Sequence, residues 1–301
     1  MGRPSSNRGR VLKVTLVQIR VFVEVVERAG FAKAADALGM SQPSVSHAVA
    51  SLEKAVGRPL FVRQPAVAPT PLGRKLLPHA RSVLASFHSF SASALDPASP
   101  SGDVRLAVTL TARTGMIPSL LPVWEKAAPH VKVHVLEADE DEMVPWLEEG
   151  AIDAAILIDP SEIPPGGIVV ARDAFAAVLR KDHPLAAEPS ISVTELLDDP
   201  VIVSASSCRP RVMEICTSAV PAFRPVQQVR DLSTLLRMVA GHVGVSVVPT
   251  LARSMLGDEL VMVPLHPVSR RTLVLTGPST RPWLPAVTAL RDAIALQPLS
   301  F

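Results

Sequence analysis

Around Pro43 stand Gln42, Ser44, Ser46 and His47, four polar side chains that donate and accept hydrogen bonds within one and a half helical turns. Presented on an exposed helix start, groups of this kind can meet base edges and phosphate oxygens. A second group is rich in hydroxyls. Leu110, Thr111 and Ala112 follow one strand-like run, while Ser204, Ser206, Ser207 and Cys208 follow another and precede a helix. Facing hydroxyls and amides at two helix starts would suit an anion or a carboxylate, with Arg113 and Arg209 near enough in sequence to add charge. His242, between Gly241 and Gly244, is a further candidate for the border of that cleft, the alternative being a plain exposed or satisfied imidazole.

Groups for covalent or metal chemistry do not assemble. The eight histidines are scattered without metal-ligand spacing, and Cys208 and Cys216 have no ligand-spaced partners. There is no G-x-S-x-G elbow, P-loop or HExxH helix. The acidic run from Glu137 to Glu142 reads as a solvated helix start rather than a cation site. Neither a metal, a cofactor nor an enzymatic activity is expected. On one helix the two thiols would lie roughly 12 Å apart by rise, too far for a local bridge. They read as partly buried apolar groups, with a redox or covalent sensing role as the alternative.

The polar groups at 42–47 need two short helices and a tight turn to carry them. Ala34, Ala35 and Leu38 make one apolar face, Gly39 permits the turn, Ser41 can cap the next helix, and Pro43 sits in its first turn. Val45, Val49 and Leu52 repeat at helical spacing. A preceding helix is expected from about Thr15 to Arg28, with Leu16, Ile19, Phe22, Val23 and Val26 on its apolar side. After Glu53, residues 57–70 read as an irregular two-stranded wing interrupted by Pro65 and Pro69.

From Pro71 to about Ala94 the pattern becomes a long helix. Leu72, Leu76, Ala80, Val83, Phe87 and Phe90 step by four, four, three, four and three, a seven-residue repeat that reads as a dimerisation seam rather than a private core. Asp96 to Gly102 is a linker. Beyond it strand-like and helix-like runs alternate, with strands expected at 104–109, 131–137, 154–158, 175–180, 201–204, 225–229, 244–248, 261–264 and 273–276. Helices are expected at 115–128, 140–149 and about 283–296, and beginning near Thr194, Pro210, Asp231 and Thr250. This is open α/β organisation in two lobes joined by two crossings, with a hinged cleft between them.

Charge is divided along the chain. Residues 1–95 carry 13 Lys or Arg against 4 Asp or Glu, a net of +9, and the overall +2 leaves −7 for the remainder. A basic head on an acidic body suits a polyanion partner for the head alone, and the helix-turn-helix selects duplex DNA among polyanions. Aromatic residues are 4% of the 301 with no Tyr, so stacking on bases is not the mode of binding. No run of 18 apolar residues appears and the first ten residues lack the apolar stretch of a signal peptide, which leads to the expectation of a cytoplasmic protein without a membrane partner.

The pattern GFAKAADALGMSQPSVSHAVASLEKAVGRPLFVR with Thr70 and Gly73, together with GDVRLAVT, the CRP at 208–210 and DLSTLLRMVAGHVGVSVVP, resembles the LysR-type transcriptional regulator family over residues 14 to 300. The resemblance implies a winged helix-turn-helix, all-α with a small β wing, at 13–70 after a basic tail at 1–12. A linker and dimerisation helix follows at 71–95. The α/β effector domain at 103–301 is then similar to periplasmic solute-binding proteins, with one subdomain at about 103–168 and 270–301 and the other at about 169–269. It further implies a homodimer or homotetramer on promoter DNA, governed by a small-molecule effector and working with RNA polymerase. Gln42, Pro43, Ser44, Ser46 and His47 then correspond to the recognition-helix contact set, and Lys33 and Arg63 to phosphate anchors. The wing departs from the family, because Gln64, Pro65 and Ala66 replace a stretch that often carries basic residues. A solute-binding module with weak DNA affinity, or a thiol-based redox regulator, is the alternative.

Overall fold

The computed structural model describes residues 12–62, 64, 66–94 and 100–295. It divides into two compact units, Met1–Ser91 with Glu149–Ala151, and Ala92–Glu148 with Ile152–Phe301.

In the first unit, α1 (Leu16–Glu27) begins with a reciprocal cap: Thr15 Oγ1 accepts from the Gln18 amide and Gln18 Oε1 accepts from the Thr15 amide. Helix α2 (Phe31–Leu38) stops at Gly39, whose φ of 62° is the left-handed conformation a side chain would oppose. Helix α3 (Gln42–Val56) starts on Ser41, which accepts from the Ser44 amide at 3.3 Å. Val21, Phe22, Val23 and Val25 pack against Ala34, Ala35, Val45, Val49 and Leu52. Of the expected α1 stripe, Phe22 and Val23 are buried and Ile19 and Val26 pack against the same core, while Leu16 is exposed and Val21 and Val25 widen the face.

The wing is β1 (Phe61–Val62) paired antiparallel with β2 (Ala68–Pro69). Glu53 ties its start to α3 by accepting from the amides of Leu60 and Phe61, and Phe61 meets the edges of Phe22 and Phe31 at 5.6 Å each. Helix α4 (Pro71–Ser93) opens on Thr70, which donates to the Pro59 carbonyl and accepts from the Gly73 amide. A Cβ on Gly73 would stand 2.4 Å from the Leu60 carbonyl oxygen, so a side chain there would push the helix off the wing.

The seven-residue stripe on α4 divides. Ala80 is buried in the head's own core, with Leu72 and Leu76 packed against it, which corrects the reading of those three as part of an intermolecular seam. The first turns of α4 close the small three-helix core, and a core this size recruits any apolar side chain within reach. Val83, Phe87 and Phe90 lie beyond that core and are 43%, 48% and 73% exposed.

The second unit runs β3 (Gly102–Val108), α5 (Leu110–Gly115), α6 (Ile117–Ala127), β4 (Val131–Glu137), α7 (Glu140–Glu149), β5 (Ala154–Ile158), β6 (Ile168–Arg180), β7 (Ile191–Ser192), α8 (Val193–Leu196), β8 (Val201–Ser204), α9 (Arg209–Ala219), β9 (Gln227–Val229), α10 (Leu232–Ala240), β10 (Val245–Pro249), β11 (Leu260–His266), β12 (Arg270–Thr276) and α11 (Pro285–Ala295). The sheet order is β4-β3-β5-β12-β6-β10-β8-β9, with β11 on β6 and β7 on β11. Strand β6 belongs to both lobes: residues 168–174 pair with β12, and residues 175–180 lie between β10 and β11. Strand β12 returns to pair with β5, the second crossing.

Each lobe has its own cores. Leu106, Leu120, Trp124, Ile156, Leu273 and Leu290 fill the first, where the buried Trp124 indole donates to the Leu290 carbonyl. Phe175, Val203, Val247 and Cys216 fill one side of the second lobe, and Leu235, Val239, Val248 and Met262 the other. Strands buried on both faces explain why these runs read as continuously apolar. The helix expected at 115–128 is α6, and a further short helix, α5, precedes it with a break at Met116. Leu110, Thr111 and Ala112 accordingly form a helical first turn.

Candidate functional site

In the first lobe β3 and β4 are parallel and end together at Val108 and Glu137. In the second, β8 runs parallel to β9 and β10, and these end at Ser204, Val229 and Pro249. Carboxyl ends of parallel strands leave a crevice where the chain turns into helices. A cavity of about 430 Å³ lies there.

Of the expected residues, Leu110, Thr111, Ser204, Ser206, Ser207 and Cys208 line this cavity. Ser204 and Ser206 share a hydrogen bond between their hydroxyls at 2.9 Å. Thr111 is 6% exposed and its hydroxyl has no hydrogen-bond partner, and the same holds for Thr109, 5% exposed, which by its sequence ends the preceding strand. A buried hydroxyl without a partner costs about 1–3 kcal/mol. Leu232, Val247, Val248 and Pro249 add an apolar wall, while Glu137, Asp139, Glu142, Arg230 and Asp231 lie at the rim.

Two expectations fail. Ala112 is fully buried, because α5 turns its side chain into the first lobe's core rather than the cleft. His242 sits at φ 62° in the turn between α10 and β10, exposed and not part of the lining. That turn precedes β10, whereas the cavity is at the strand's other end. Arg113 and Arg209 are not in the lining either: Arg113 pairs with Glu137 at 3.3 Å and Arg209 donates to Gln228.

Several members of the acidic run have neighbours within the protein. Asp139 meets Arg230 at 3.3 Å, Glu142 accepts from the Asp139 amide, and Glu140 accepts from the Ile158 amide. Burial pushes Glu140 above the ordinary carboxylate range, opposed by that amide. No metal-binding group of three or more His, Cys, Asp or Glu is found among the described residues.

Cys208 forms a wall shared with a second cavity of about 540 Å³, which Phe175, Arg270, Arg271 and Glu140 also line. Arg271 is buried and forks onto Asp173 at 2.8 and 2.7 Å, lies over the Phe175 ring at 5.4 Å, and donates to Cys208 Sγ at 3.5 Å. Burial pushes the Cys208 thiol above its ordinary pKa, with the Arg271 charge pulling the other way. Burial alone raises Cys216 to about 11.

On the head, Lys33, Gln42, Pro43, Ser44 and His47 are exposed and Ser46 is half-buried. The Ser44 hydroxyl is shared with Ser41 at 2.8 Å, so it serves the cap as well as the surface. Arg63 lies outside the described residues. No helix among those described is long and apolar enough to cross a membrane.

A family model described as the LysR substrate binding domain matches residues 97–297, and one described as the bacterial regulatory helix-turn-helix protein, lysR family, matches residues 16–74. The chain is 31% identical over 279 residues to a "Probable hydrogen peroxide-inducible genes activator" of Mycobacterium avium, covering 89% of each. It is 28% identical to the HTH-type transcriptional regulator YvbU of Bacillus subtilis, over 89% of this chain and 93% of that one. Full-length OxyR C199D from Pseudomonas aeruginosa has the same fold, with a TM-score of 0.74 at 24% identity over 94% of this chain and 95% of that chain. The chain therefore belongs to the LysR family of transcriptional regulators, with an N-terminal helix-turn-helix DNA-binding domain and a C-terminal effector-binding domain.

Proposed function

We propose that this protein binds promoter DNA as an oligomer and that a small molecule seated between the two lobes of its effector domain changes that binding or its transcriptional outcome. Gln42, Ser46 and His47 read or approach base edges, Ser44 and Lys33 hold phosphates, and Val83, Phe87 and Phe90 meet a second copy. The carrying observation is the pair of buried threonine hydroxyls, Thr109 and Thr111, that line a 430 Å³ cavity without a partner. Packing gains nothing from them, whereas a polar ligand between the lobes would satisfy both. A ligand that does so only in the closed arrangement favours closure, and the difference in affinity between the two arrangements is the signal. RNA polymerase is the partner through which an activating outcome would pass.

Thr111→Val removes an unsatisfied hydroxyl at constant shape. The unliganded variant should be more stable than the parent by about 1 kcal/mol in urea unfolding, yet its duplex binding should no longer respond to the metabolite extract that shifts the parent. A variant that responds like the parent removes Thr111 from the site.

A second reading has one observation in its favour, the Arg271 guanidinium 3.5 Å from the Cys208 sulfur, and accords with the name of the M. avium relative. In it, oxidation of Cys208 is the signal. The raised thiol pKa opposes this reading, since the thiolate is the reactive form. A Cys208→Ser protein should keep its effector response; loss of a peroxide response in that variant alone would favour the redox reading.

A further inference from the structure

The charges around the cleft do not match the ligand class that its hydroxyls first suggest. Among the described residues, its charged lining consists of Glu137, Asp139, Glu142 and Asp231 against Arg230. Arg230 is already spent on Asp139 at 3.3 Å, and Glu137 is met from outside the lining by Arg113 at 3.3 Å. Glu142 and Asp231 remain. Asp231 accepts from the Thr234 amide as the cap of α10, with Arg237 on the same helix near enough to help hold its pKa below the ordinary carboxylate value, and Glu142 accepts from the Asp139 amide, so both are held in place and neither is closed in a direct ion pair among the described residues. The deep wall is neutral: Thr109, Thr111 and Ser204 supply hydroxyls, and Leu232, Val247, Val248 and Pro249 supply apolar surface. A dicarboxylate placed here would bring two negative charges beside an acidic rim whose lining offers no unpaired cation among the described residues, and desolvating a charge without a partner is strongly disfavoured.

We infer that the cleft takes a small molecule bearing an ammonium group, with its cationic end toward Glu142 and Asp231 and its other, neutral or singly anionic end on the hydroxyls of Thr109 and Thr111. The inference rests on the cleft being the effector site. Selectivity follows from the rim, which attracts an ammonium and repels a dianion of equal length, while the hydroxyls accept either a donor or an acceptor. Amino acids and linear aminocarboxylates have this chemistry, and a cavity of about 430 Å³ holds molecules of that size.

The test is calorimetric titration of the full-length protein with a six-carbon series that varies charge at fixed length, namely hexamethylenediamine, aminocaproate and adipate. The proteinogenic amino acids are added, with leucine set against its deaminated carboxylate. Thr111→Val and Glu142→Gln serve as variants. Expected is binding of an ammonium-bearing probe that both variants weaken, Glu142→Gln by about fivefold as for a half-exposed charge pair, with adipate weaker than the ammonium-bearing members. Tighter binding of adipate or the deaminated carboxylate, sensitive to Thr111→Val, would overturn the ammonium assignment and leave the cleft as the effector site. Binding of ammonium probes that neither variant alters would overturn both. Failure of every ammonium-bearing probe to bind at millimolar concentration would also overturn the assignment.

Discussion

Arg271 and Asp173 make a buried, forked ion pair in the effector domain, with side chains 2% and 0% exposed. Burial opposes the Arg271 charge, but the Asp173 bonds outweigh it and hold the guanidinium above its ordinary pKa. Removing one member leaves a buried charge, so Arg271→Met should lower stability by about 3–5 kcal/mol in urea unfolding, and adding Asp173→Leu should recover most of the loss. Neither partner stood out in the sequence, because an arginine and an aspartate 98 positions apart carry no local mark of their pairing. Thr111, Ser204 and Ser206 were legible, since hydroxyls between a strand and a helix start have a local pattern. Thr109 stands one residue before α5, but the strand-like run 104–109 takes it as its last residue, so its place at the helix start is not legible in the sequence.

At the scale of elements, α5 is the part that places Thr109 and Thr111, and its position depends on Gly115. A Cβ there would stand 2.1 Å from the Leu251 carbonyl oxygen in the turn after β10. Gly115→Ala should cost about 1–3 kcal/mol by overpacking and should weaken effector binding through displacement of α5, seen as a lower midpoint in urea and a higher Kd in the same preparation. The helix pair of the head was readable almost to the residue because its signals are local: Ser41 as cap, Pro43 in the first turn, Gly39 at the left-handed stop. The long helix α4 was readable as a helix, but not in the use of its stripe. A seven-residue period records that a face is buried, and cannot tell a private core from a partner; Ala80 went to the first, while Phe87 and Phe90 stayed exposed.

For the molecule as a whole, the basic head and acidic body divide the work of recognition. Phosphate contacts release counterions and carry no sequence information, whereas base contacts discriminate. Lys33→Ala should therefore weaken binding to operator and random duplex alike and reduce the slope of log K against log salt by about one. Gln42→Ala should leave that slope intact and reduce the operator-to-random ratio by about 1–3 kcal/mol. Titrations of both duplexes at several salt concentrations separate the two; a Gln42→Ala protein with unchanged discrimination would take Gln42 out of the readout.

Short-range chemistry is what the sequence by itself determined: which residues cap and turn, where the apolar periods of helix and strand run, and that a basic helix-turn-helix head precedes an α/β body. These follow from interactions within a few residues, which the order of the chain displays directly. Only the tertiary structure decided what depends on distant segments meeting. The sheet brought the ends of β3, β4, β8 and β10 to one crevice, sent Ala112 into the core and His242 to the opposite end of β10, and gathered four carboxylates around a neutral floor. Charge in a cleft is a property of the residues that share it, and those come together only when the strands pair.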